Sequence, residues 1–126
     1  MWFRRKKIND QEWETLNREV VQLTRDNSMD QALAAAEKLF GLSRKAFGRR
    51  HNHTVTALNN LGIIHTLRRE FDEAESYLLA ALQMSEKVSG RFSREVAVVN
   101  MNLANLYMAK VRMINDMCGP GTEGES

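Results

Sequence analysis

The chain repeats itself. Shifted by 42 residues, "MDQALAAAEKLF" (29–40) falls on "FDEAESYLLAAL" (71–82), Gly48 falls on Gly90, and "LNNLGIIH" (58–65) falls on "NMNLANLY" (100–107). Each unit reads as a helix, a tight turn, a second helix and a glycine. One helix pair of this kind cannot bury its apolar face alone, so such units stack side by side. That single feature confines the chain to a stacked helical array.

The apolar periodicity agrees. Asn9 followed three residues later by Glu12 is a capping-box pattern. The helix it opens runs to about Arg25, with Trp13, Leu16, Val20 and Leu23 on one face. Ser28, with Gln31 in the capping-box position, is expected to cap a second helix. Its buried side holds Ala32, Leu33, Ala36, Leu39, Phe40, Ser43 and Phe47, and Gly48 suits its C-terminal cap. "RRHNH" (49–53) reads as a loop. A third helix is expected from about Thr54 to Arg68, a fourth from Phe71 to Val88 and closed by Gly90, and a fifth from just after Ser93 to about Asn115.

The expected fold is therefore all-α, about five helices stacked as a short α-solenoid of helix-turn-helix units. The units span 13–48, 55–90 and, in part, 97–115. Residues 1–8 ("MWFRRKKI") read as a basic leader, 9–115 as the repeat domain, and 116–126 as a disordered tail by composition. Helix formers dominate throughout, and the one proline is Pro120.

Charge and cysteine content narrow the setting. A formal charge of +2 demands neither a nucleic acid nor an anionic membrane as partner. No apolar run reaches the length of a membrane span, and the basic start lacks the apolar stretch of a signal peptide. The single cysteine, Cys118, excludes an internal disulfide and fits a reducing compartment. The expectation is a cytoplasmic protein with no nucleic-acid partner and no stable membrane insertion. "FRRKK" with Arg44, Lys45, Arg49 and Arg50 would make a basic surface, but Glu12, Glu14, Glu70, Asp72, Glu73 and Glu75 offset it. A solvated leader is the simpler reading.

Gly62 stands inside a helical run, where glycine costs about 1 kcal/mol relative to alanine. Small residues recur at matching places: Gly62 and Ala104 in the first helix of a unit, Ala32, Ala74 and Ala81 in the second. Side-chain size at a crossing sets the distance between helix axes. Gly62 is expected to admit a neighbouring helix at close range.

The "LNNLG" first helix, the "FDEAE" start of the second and its "ALQMSEK" close resemble tetratricopeptide repeats, in the longer 42-residue form of kinesin light chains and their bacterial relatives. His51 fits the histidine that often follows the glycine there. The resemblance covers residues 13–110. It departs at Glu19 and Val20, which replace an expected Leu and Gly, and at "KVRMINDMCGPG", which lacks a second-helix signature.

The resemblance implies a concave groove, lined by the first helices, that binds a peptide or helix of a partner protein. By position the lining would be Asn17, Arg18, Val21 and Thr24, then Asn59, Asn60, Ile63 and Thr66, then Met101, Asn102, Asn105 and Met108. Asparagine amides donate to and accept from a peptide backbone without demanding its sequence. Arg18 and Arg25 would meet acidic groups. The competing reading is that Asn60 and Asn102 tie neighbouring helices together. The family's carboxylate-clamping members need lysine and arginine where Met101 and Asn105 stand, so a strong terminal-carboxylate clamp is not expected.

Chemistry is sparse. His51 and His53 lack a third ligand at metal-binding spacing, and His65 stands where the family has a core tyrosine, as Tyr107 does in the next unit. No metal or other cofactor is expected. There is no phosphate loop and no nucleophile motif, so no enzyme activity is expected. The fifth helix is the unusual one. Val96, Val99, Leu103, Leu106 and Tyr107 form one apolar face, while Val98, Met101, Met108, Val111, Met113, Ile114 and Met117 cover much of the rest. The terminal helix of a solenoid should be polar outside, and methionine suits adaptable interfaces. A homo-oligomer, simplest as a symmetric dimer, is expected through Val98, Met101, Leu106, Met108, Val111, Met113 and Ile114, unless the helix end folds back within its own chain. The expected function is a protein-binding scaffold or adaptor. The alternative is a homo-oligomeric structural module with an idle groove.

Overall fold

The computed structural model describes residues 7–118. These form five helices: α1 (Asp10–Arg25), α2 (Met29–Phe47), α3 (Asn52–Leu67), α4 (Phe71–Ser89) and α5 (Arg94–Cys118). The expected all-α solenoid is borne out. Residues 1–6 of the leader and 119–126 of the tail lie outside the described residues. α5 runs on through Asp116, Met117 and Cys118, so the first part of the expected tail is helical.

α1 opens on the capping box. Asn9 Oδ1 accepts from the Glu12 N–H at 2.8 Å, and Glu12 Oε1 accepts from the Asn9 N–H at 3.0 Å. The same signature at Ser28 is not used. Its backbone is not extended (ψ 67°), and its hydroxyl makes no cap bond. The α1–α2 turn closes through the main chain instead. Asp26, Asn27 and Ser28 donate to Gln22, Thr24 and Leu23, with Asn27 left-handed at φ 60°. The α3–α4 turn repeats this 42 residues later, with Arg68, Arg69 and Glu70 donating to Ile64, Thr66 and His65 and Arg69 at φ 63°. Gly48 and Gly90 close α2 and α4 at φ 87° and 91°, backbone that L side chains resist.

"RRHNH" is shorter as a loop than its sequence suggested. His51 is the N-cap of α3, its Nδ1 accepting from the His53 N–H at 2.9 Å, and Asn52 already belongs to the helix.

Two apolar clusters form the core, and α3 belongs to both. Trp13, Val20, Ala32, Ala36 and Leu39 pack with Ala57, Leu61 and Ile64 of α3. Phe71, Ala74, Leu78, Ala81, Val99, Leu103 and Leu106 pack with Val55 and Leu58 of α3. A helix buried on two sides needs apolar residues nearly all round, and nine residues of α3 are buried. Gly62 lies between α3 and α4. A Cβ there would fall 2.5 Å from Leu78 Cγ, inside any allowed contact. The close approach inferred from sequence is thus made by Leu78.

Candidate functional site

The first helices of the units, α1, α3 and α5, lie side by side and are joined by an asparagine ladder. Asn60 Nδ2 donates to Asn17 Oδ1 at 2.6 Å, and Asn102 Nδ2 donates to Asn59 Oδ1 at 3.2 Å. Both bonds span 43 residues. α3 contributes one amide to each side. The helix-tying role considered for Asn60 and Asn102 is therefore present. Each bond takes one of the two amide hydrogens on its donor, so bonding capacity remains for a ligand. Asn59 is buried in this arrangement, while Asn17, Asn60 and Asn102 are half-buried.

Between α3 and α5 a cleft of about 240 Å³ is lined by Ile63, Thr66, Leu67, Asn102 and Asn105. Ile63 and Leu67 give it apolar walls, and two amides stand beside them. The Thr66 hydroxyl is occupied, donating to the Gly62 carbonyl at 2.8 Å. The cleft is smaller than a small-molecule pocket of about 300–1,000 Å³ and suits a side chain or two of a bound peptide. Four of its five residues are among those expected from the sequence. Leu67, 54% exposed, was missed. Its signal is an apolar residue one turn beyond Ile63 on the same face. On α1, Val21 and Thr24 are half-buried and Arg18 and Arg25 are exposed, but none of them lines this cleft. A larger cleft of about 460 Å³ lies between α1 and α2, with Leu16, Leu23, Ala34 and Ala35 beside Glu19 and Lys38. It contains none of the expected groove residues.

The histidines are held by packing and pairing. His65 is buried, stacks on Tyr77 with centroids 5.3 Å apart, and pairs through Nδ1 with Glu70 at 2.8 Å. Hydrogen bonds from Arg68 first and His65 second hold the Glu70 carboxyl below its ordinary range. His53 stacks on Trp13 at 4.0 Å and bonds Asp10 through Nε2 at 2.9 Å, and Phe47 packs against both His51 and His53. Burial, with His53 adding to it, pushes the His51 imidazole below its usual value of 6.5, and Asp10 opposes the shift. Among the described residues no three His, Cys, Asp or Glu side chains are grouped to hold a metal.

α5 corrects part of the expected interface. Leu106 is fully buried against α3 and α4, and Met113 is half-buried against the same cluster, so Leu106 is unavailable to a second chain. Val98, Met101, Met108, Val111 and Ile114 are exposed, as is Met117. Tyr107, placed on the core face by sequence, is partly exposed. Its hydroxyl donates to Glu75 Oε2 at 2.5 Å, which raises its pKa. Among the described residues no helix is long and apolar enough to cross a membrane.

A sequence profile of the tetratricopeptide repeat matches residues 15–87 and, overlapping, 54–110. The chain belongs to the tetratricopeptide repeat family, and its longer unit is consistent with the kinesin-light-chain-like form. Repeats of this family act generally as scaffolds for protein–protein interaction. No curated protein matches the chain.

Proposed function

We infer that the chain is a small interaction module that holds an extended or helical segment of a partner protein in the groove between α3 and α5. The observation that carries this reading is the cleft of Ile63, Thr66, Leu67, Asn102 and Asn105, where apolar walls meet two amides. Such a site takes an apolar side chain and bonds the backbone on either side of it. Arg18 and Arg25, exposed on the neighbouring first helix, favour partners with acidic residues one helix away. The module has no chemistry of its own and works as a scaffold or adaptor inside the cell.

The test is peptide selection from a random library on the immobilised protein, with affinities read by fluorescence anisotropy. Ile63→Asp with Asn105→Ala weakens the selected peptides at least tenfold while helical content by circular dichroism stays unchanged. Peptides that bind the double variant as well as the native protein would refute the groove.

The exposed apolar side of α5 favours a second reading, self-association through that helix. It is compatible with the first, because the α3–α5 cleft and the outer side of α5 are different surfaces.

A further inference from the structure

α5 carries an apolar stripe that none of the described residues covers. Ala97, Met101, Ala104, Met108 and Val111 recur at spacings of four, three, four and three, and all are exposed, Met101 at 65% and Met108 at 57%. That spacing is the seam of a coiled coil. It lies opposite Val99, Leu103 and Leu106, which face the core.

The other end of the array is built differently. α3 buries Ala57, Leu61 and Ile64 against the unit before it. The corresponding positions of α1, 42 residues earlier, are Thr15, Glu19 and Gln22, and all three are exposed. At these positions α1 is polar, where the outer stripe of α5 is apolar. Stacking copies head to tail would press Glu19 against methionines and strip its carboxylate of water without a partner. Joining two C-terminal ends carries no such cost.

The stripe is also complementary to itself. Building on the self-association reading, we propose that two copies of the chain pair through α5, antiparallel about a two-fold axis near residue 106. In that register Ala104 faces Met108 of the second copy, and by symmetry Met108 faces its Ala104. Met101 and Val111 face each other in the same way. Ala104 is the repeat counterpart of Gly62. Leu78 fills the space over Gly62, and Met108 of the second copy fills the space over Ala104, a knob entering a hole. Asn115 falls opposite Ala97, and Arg94 falls opposite Cys118, so polar groups stay at the two ends of the seam. Parallel pairing would instead set Arg94 on Arg94, placing like charges together at one end of the seam. The antiparallel pair closes on itself about its two-fold axis.

Two measurements on the full chain test this. Light scattering after gel filtration should give twice the 14.5 kDa chain mass, and Met108→Glu should return it to one chain mass with helicity kept. A nitroxide on Cys118, the only cysteine, should give a spin–spin distance of about 36 Å, from a rise of 1.5 Å per residue on each side of the axis. A single chain mass at every concentration overturns self-association altogether and leaves the groove standing. A dimer with a spin distance below about 20 Å overturns the antiparallel register while keeping self-association. A dimer indifferent to Met108→Glu overturns pairing through α5.

Discussion

Gly62→Ala sets two opposing effects against each other at one atom. Alanine gains about 1 kcal/mol over glycine in a helix interior. Against this, the new Cβ would lie 2.5 Å from Leu78 Cγ, more than 1 Å inside the ~3.5–4.0 Å of ordinary carbon contact. Leu78 is 0% exposed, so either its side chain must leave its present position within the core or α4 must back away from α3. Overpacking of this kind costs about 1–3 kcal/mol. The net expectation is a loss of about 1 kcal/mol, or roughly 4 °C in Tm for a domain of this size. Gly41→Ala is the control. Gly41 is also inside a helix, but nothing lies within 4 Å of its added Cβ, so the same substitution should stabilise by about 1 kcal/mol. Thermal and urea unfolding followed by circular dichroism read both. The sign at Gly62 should reverse in a Leu78→Ala background, where the obstacle is gone, although that background itself costs about 2–5 kcal/mol. If Gly62→Ala stabilises the native chain as Gly41→Ala does, close packing is not why glycine stands there.

Two further outcomes follow from the α1–α2–α3 end of the fold. Ser43→Ala strands the Trp13 indole N–H, which donates to Ser43 Oγ at 2.7 Å in a buried site, and should cost about 1–3 kcal/mol in urea unfolding. His51 is held below its ordinary pKa, so the unfolded chain binds the proton more tightly than the folded one. The stability this gives is complete above pH 6.5 and is lost as pH falls through the folded-state value. The urea midpoint should fall on acidification below neutral pH, and His51→Asn, which keeps a capping side chain, should flatten the part of the profile due to this residue.

What the sequence made legible is what is decided locally or by the repeat. The Asn9–Glu12 box, the glycine caps at 48 and 90, and the close approach at Gly62 all depend on neighbours within a turn or on a position one unit away. The Ser28 signature misled because a three-residue turn closed by main-chain bonds leaves no extended residue to cap from. His51 reads as loop because histidine is a weak capping signal, and the ring stack of His53 on Trp13 is set by how α1 meets α3. On α5 the three-four-three spacing of Val96, Val99, Leu103 and Leu106 marks the side that is buried, so Leu106 belongs to the core face and not to the interface, while Met101 stands outside that spacing and is exposed. The ladder partners of Asn60 and Asn102 lie 43 residues away and follow from the side-by-side placement of first helices.

The most direct test of the interaction groove is an amide chemical-shift map of the labelled protein, titrated with a library-selected peptide. Shifts centred on Ile63, Thr66, Leu67, Asn102 and Asn105 are the predicted result. Shifts centred on the outer cleft of Leu16, Leu23, Ala34 and Ala35, with those five residues silent, would contradict it.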